Sequence, residues 1–121
     1  MKIENIKFKA KRIDGKGYAI GDLLHSYENG AIIVPIEGGG AFSVDSDTIC
    51  QFTGLTDCKG NEIWEGDIVE RVIYDPFKGS SKVKAVIEYL DGAFVAITDG
   101  IPYSLYFKYI KVIGNKFDKD K

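Results

Sequence analysis

Apolar and polar residues alternate along most of this chain with a period of two, the pattern of strands that bury one face. In the run from Ile6 to Lys11, Ile6, Phe8 and Ala10 fall on one side and Lys7, Lys9 and Lys11 on the other. This predicts a half-buried strand with a lysine face, a device that often serves to keep an edge strand from pairing with other chains. Short runs rich in β-branched and aromatic residues predict further strands at about Tyr18–His25, Ala31–Pro35, Ala41–Val44, Ile49–Thr53, Ile68–Tyr74, Val83–Leu90, Ala93–Thr98 and Lys111–Ile113.

The turns between them are partly explicit. Asn29-Gly30 and Asp91-Gly92 each separate two apolar runs, and such dipeptides suit a two-residue hairpin loop whose central residues both need positive φ. Asp99-Gly100 marks another turn, and Pro102 just beyond it is barred from a central ladder position because it has no N–H to donate. No segment sustains a helical apolar stripe, although the stretch from Tyr103 to Ile110 could form one short or 3₁₀ turn. The expected fold class is therefore all-β. The expected organisation is a smaller N-terminal β subdomain over residues 1–53, a second subdomain over residues 54–116, and a charged tail over residues 117–121.

Composition narrows the setting. With 45% hydrophobic and 28% charged residues in 121, the chain has globular rather than disordered character. The longest apolar run, Ala31 to Ile36, is far short of the roughly 18–20 residues that cross a bilayer. The opening MKIENIKFKAKR lacks the apolar run of a secretory signal. A cytoplasmic protein with no membrane partner is expected, with Cys50 and Cys58 as free thiols.

Charge is unevenly spread although the net value is only −2. Residues 1–16 carry six Lys or Arg against two acids, residues 17–75 two against eleven, and residues 76–121 eight against five. The basic ends and acidic middle admit either attraction within or between chains or an ordinary mixed surface.

Candidate chemistry is sparse. Gly38-Gly39-Gly40 lacks the Gly-Lys-Ser/Thr that completes a phosphate loop, and the segment after it is strand-like. Gly15, Gly17 and Gly21 miss the dinucleotide fingerprint. His25, Cys50 and Cys58 are too few for a structural zinc site, and Asp45 with Asp47 reads better as turn chemistry than as a cation site. No nucleophile motif accompanies His25. Asp57, Glu62, Glu65 and Asp67 crowd one stretch that could in principle serve a carboxylate- or metal-dependent hydrolase. No catalytic residue, cofactor or metal is expected, and the chain is read as a non-enzyme. A nucleic-acid surface could be built from Lys7, Lys9, Lys11 and Arg12 with tyrosines nearby, but the acidic overall balance disfavours it.

The most distinctive stretch holds Thr53-Gly-Leu-Thr-Asp57 and Gly60-Asn-Glu-Ile-Trp-Glu-Gly-Asp-Ile-Val69. With Lys7-Phe8-Lys9-Ala10, Tyr18-Ala-Ile-Gly21 and Val112-Ile-Gly-Asn115, it closely resembles the YopX family of phage and prophage proteins. Tyr18 stands where tryptophan is expected and Cys58 where a polar residue is usual, which argues against a shared cysteine chemistry. The resemblance implies an SH3-like small barrel in the C-terminal half and no established activity. The residues themselves agree with that architecture: Trp64 is expected to be an apolar anchor, Gly66-Asp67 a tight turn into Ile68-Val69, and Glu65 and Asp67 loop-capping carboxylates. The functional expectation is a phage or prophage accessory protein in the bacterial cytoplasm, acting as an interaction module. A homo-oligomer is expected, alternatively a phage or host protein partner, with Tyr103, Tyr106, Phe107 and Tyr109 as the candidate interaction surface. Nucleic acid is the second choice of partner.

Overall fold

The computed structural model describes residues 2–26, 28, 30–104 and 110–118. Within them the regular structure is antiparallel strands, apart from two 3₁₀ turns at Ile3–Asn5 and Ser46–Thr48. The all-β class follows from the alternation, since a period of two has a buried face only when extended. The chain divides into two compact units, Met1–Phe52 and Thr53–Lys121.

The first unit is a meander of β1 (Phe8–Lys11), β2 (Tyr18–Ser26), β3 (Gly30–Pro35) and β4 (Phe42–Val44), followed by the start of β5 (Cys50–Thr56). Its strand order is β4-β3-β2-β1-β5. The register pairs Ala10 with Ala19 and Leu23 with Ile33, so Ala10, Ala19, Ala31, Ile33 and Val44 meet on one side as a core, flanked by Phe8, Leu23, Phe42 and Ile49. Gly38-Gly39-Gly40 is the β3–β4 hairpin loop, all three at positive φ.

The meander turns back on its start. Arg12 and Val44 form an antiparallel bridge, the Ile13 amide donates to the Ser43 carbonyl at 3.0 Å, and the Asp45 amide donates to the Lys11 carbonyl at 2.8 Å. The Thr48 hydroxyl fixes this seam, accepting from the Lys11 amide at 2.8 Å and donating to the Asp45 carbonyl at 2.7 Å. Asp45 accepts from the Asp47 amide at 3.0 Å, so it caps a turn.

The second unit holds the rest of β5, then β6 (Glu62–Trp64), β7 (Asp67–Asp75), β8 (Gly79–Leu90), β9 (Ala93–Thr98), β10 (Ile101–Tyr103) and β11 (Ile110–Asn115). β6 has three residues, too few for alternation to announce it. Five strands form a sheet in the order β10-β9-β8-β7-β11. Ile63, Val69, Ala85, Ile87, Ala96 and Ile110 make its core, with Phe94 and Val112 packed against it; each large aliphatic side chain buried there contributes about 1.5–3 kcal/mol.

Asp91-Gly92 forms the β8–β9 hairpin turn with φ of 51° and 87°, and Asp99-Gly100 repeats the geometry before β10. Asn29 lies outside the described residues. Pro102 sits on β10, an edge strand, where its missing N–H costs no ladder bond. The barrel expected for the C-terminal half goes beyond the pairing observed: no sheet is closed among the described residues, and no pairing joins β10 to β11. The nearest approach to closure is the Arg12–Val44 bridge, in the N-terminal unit.

Candidate interaction surface

The crowded carboxylates of the central motif are occupied by the fold. Asp57 is 4% exposed, and its carboxylate accepts from the amides of Lys59 (2.9 Å), Asn61 (2.8 Å) and Val112 (2.8 Å) and from the Asn61 side chain (3.3 Å). Burial pushes its pKa up, but the donated hydrogen bonds from Val112, Asn61 and Lys59 favour the charged form and hold it below the usual carboxylate range. Asp67 is 2% exposed. Its Oδ2 accepts from the Trp64 amide at 2.7 Å, closing the Trp64–Asp67 turn, and its Oδ1 accepts from Asn115 Nδ2 at 2.9 Å.

Around this turn Gly66, at positive φ, donates its amide to the Ile87 carbonyl at 2.7 Å and accepts from the Lys116 amide at 2.9 Å. Trp64 is buried, as an anchor must be. Asn115 also accepts from the Phe117 amide through Oδ1 at 2.9 Å. Glu62 is exposed and Glu65 half-buried. Asn115 is the residue that sequence reasoning passed over. Its only signal is its place in Val112-Ile-Gly-Asn115, a segment that pairs with the start of β7.

Four exposed apolar residues, Val72, Ile73, Tyr74 and Phe77, fall on the β7–β8 hairpin. Past the buried pair Val69 and Ala85, the ladder continues through six more pairs, from Glu70 with Lys84 to Asp75 with Gly79, and no residue among them is buried. Among the described residues, β11 accompanies β7 only as far as Arg71, and β9 accompanies β8 only from Val86 on. Among the described residues, Val72 to Lys82, the arm, is paired only within this hairpin. Val72 and Tyr74 lie on one face, Ile73 on the other, and Phe77 at the tip is 94% exposed. The tip is held by Asp75, whose Oδ1 accepts from the amides of Phe77 at 2.8 Å and Lys78 at 3.3 Å.

Of the aromatic residues expected to form a surface, Tyr103 is on edge strand β10, partly exposed, with the Arg71 guanidinium 4.2 Å from its ring centroid. Tyr106, Phe107 and Tyr109 lie outside the described residues. The arm itself went unread, because Val72, Ile73, Tyr74 and Phe77 look like core residues in a linear pattern.

Of the basic candidates, Lys9 and Lys11 lie on β1, Lys7 just before it and Arg12 just after it, and they do not act as one patch. The Lys9 and Lys11 ammonium groups sit 4.9 and 6.0 Å from the Tyr18 ring centroid, and Lys7 sits 4.8 Å from that of Phe52. Arg12 leaves this face: it stacks on Phe42 at 4.1 Å and pairs with Asp14 at 2.6 Å. Arg12, Ile13, Asp14, Ala41, Phe42 and Ser43 line a cleft of about 330 Å³ along the seam.

Fold and surface together define a two-unit, all-β protein with a buried carboxylate framework and an exposed hairpin arm. The family model of the YopX protein matches residues 7–120, and the chain belongs to that family. No curated protein matches the chain. Among the described residues no helix is long and apolar enough to cross a membrane.

Proposed function

We propose that this protein is a non-enzymatic interaction module that associates with itself, serving as a phage or prophage accessory protein in the bacterial cytoplasm. The observation that carries the reading is the arm: its hairpin continues past the core while presenting Val72, Ile73, Tyr74 and Phe77 to solvent. Exposed apolar residues grouped on one element favour a protein partner. On this reading the SH3-like second unit is the part that binds, and Tyr103 extends its apolar surface. The buried Asp57 and Asp67 support a structural role for the central motif in place of a hydrolytic one.

Light scattering after size exclusion tests the proposal. A multimer is expected at micromolar concentration, and a Tyr74→Ser, Phe77→Ser double variant is expected to run as a monomer with an unchanged circular dichroism spectrum. A wild-type monomer throughout the micromolar range would remove the self-association reading.

A second reading, a nucleic-acid-binding module, is supported by Lys9 and Lys11 alternating along the first strand, with Lys7 just before it. It ranks below the first because Asp14 neutralises Arg12 and the nearby rings already carry ammonium groups. Oligonucleotide binding that weakens steeply with salt is its expected sign; no binding at low ionic strength would end it.

A further inference from the structure

We propose that the outer edge of β8, from Gly79 to Val83, takes up an extended acidic segment of a partner protein as an added strand. This surface is separate from the apolar residues behind the self-association reading, and the inference goes beyond that reading.

The edge is open because its neighbour stops short. β9 accompanies β8 only from Val86 on, and nothing among the described residues pairs with β8 on that side from Gly79 to Val83. One bond fixes the direction of the backbone groups: the Thr98 hydroxyl, on β9, donates to the Lys84 carbonyl at 3.1 Å. That carbonyl therefore points away from β7. In an antiparallel ladder, backbone groups two residues apart on one strand point to the same side, so the N–H and C=O groups of Lys82 and Ser80 also point outward. These are the ladder positions on which a further strand can form.

Charge selects the occupant. From residue 76 to residue 84 the chain carries three lysines, Lys78, Lys82 and Lys84, and no acid. All three are exposed, and among the described residues none of them makes an ion pair. Glu70 stands opposite Lys84 in the ladder without pairing to it, Val72 stands opposite Lys82, and Asp75 is engaged by the loop amides of Phe77 and Lys78. Lys82 and Lys84 alternate on one face of the sheet, so an added strand with acids at alternate positions sets a carboxylate beside each. Opposite charges on adjacent strands attract and like charges repel, so two copies of this edge would oppose lysine to lysine, and a second copy does not fit. The partner's intervening side chains share the other face with half-buried Val83, where β-branched apolar residues suit.

Fluorescence anisotropy with short labelled peptides tests the assignment. A peptide alternating glutamate with valine is expected to bind, and to bind less as salt is added. The same peptide with lysine for glutamate should bind at least about tenfold more weakly, and N-methylation of the glutamate amides, which keeps the charge and removes the ladder donors, should abolish binding. Lys82→Glu with Lys84→Glu is expected to reverse the preference. Ser80→Pro, which keeps every lysine and removes an outward N–H, should weaken binding; if that variant fails to fold, the N-methylated peptide reads the same ladder. Tyr74→Ser with Phe77→Ser leaves this edge intact and should bind as the wild type does, whether or not the wild type self-associates. No binding of the glutamate peptide at low ionic strength, or equal binding of the lysine or N-methylated peptide, would overturn the proposal. Tighter binding of a single-stranded oligonucleotide at the same two lysines would overturn it in favour of nucleic acid.

Discussion

The carboxylate of Asp57 accepts a hydrogen bond from the backbone amide of Val112 at 2.8 Å, across 55 positions of sequence. Val112 lies on β11, an edge of the second unit's sheet, so its amide would otherwise be a free donor there. The Cys58 amide adds a bond to the Ile110 carbonyl at 3.2 Å. A turn in the middle of the chain thus closes a sheet edge formed near its end.

The depressed pKa of Asp57 gives this contact a pH signature. A carboxyl that binds its proton less readily when folded than when unfolded contributes its full stabilisation above the unfolded pKa, about 3.9, and loses it as pH falls below that value toward the folded one. Asp57→Asn is expected to lower stability at pH 7 by about 2–4 kcal/mol, because an amide cannot accept all four donors and brings N–H groups of its own. Urea denaturation at several pH values checks both points. The wild type should lose stability on acidification below about pH 4 more steeply than the variant, and parallel curves would show that Asp57 does not carry the effect.

Asp67 and Asn115 are expected to behave as one unit. Removing either breaks the buried hydrogen bond between them, so Asp67→Ala and Asn115→Ala should each cost about 1–3 kcal/mol. The double variant should cost less than the sum of the two, with a coupling of about 0.5–3 kcal/mol in a thermodynamic cycle. Additive losses would mean the 2.9 Å contact contributes nothing of its own.

Two glycines should respond differently to alanine. A Cβ at Gly21 would stand 2.1 Å from the Val34 carbonyl oxygen and 2.7 Å from Pro35 Cα, so β3 would have to move; Gly21→Ala is expected to cost more than about 3 kcal/mol. At Gly92 the surrounding space is open and only the positive φ is strained, so Gly92→Ala should cost about 1–2 kcal/mol. Thermal melts of the two variants rank them directly.

The thiols offer a check that needs no mutation. Cys58 is exposed and Cys50 fully buried, both free. Ellman's reagent should titrate one thiol rapidly in native protein and the second only on unfolding. Rapid labelling of both would show that the β1–β5 region opens readily.

Local physics made much of this fold legible in advance. The alternation of Phe8, Lys9 and Ala10, the Asp91-Gly92 turn and the edge position of Pro102 all follow from neighbours in sequence, because pleat, positive φ and a missing N–H are properties of one to four residues. The Trp64–Asp67 segment was readable as an anchor and a turn for the same reason. β6 was not, since three residues carry no period, and neither was the role of Asn115, whose partners Glu65 and Asp67 lie 50 and 48 positions away.

The sequence by itself determined that the chain would be built of strands, where its sharpest turns fall, and the family to which its central motif points. Only the tertiary structure decided which acids are buried and which apolar residues are not. Asp67 reads in the sequence as a loop cap, but that it and Asp57 are buried shows only once the donors around them are located, and Val72, Tyr74 and Phe77 read as core until their exposure is seen. Burial depends on what packs from elsewhere in the chain, which a period of two cannot report.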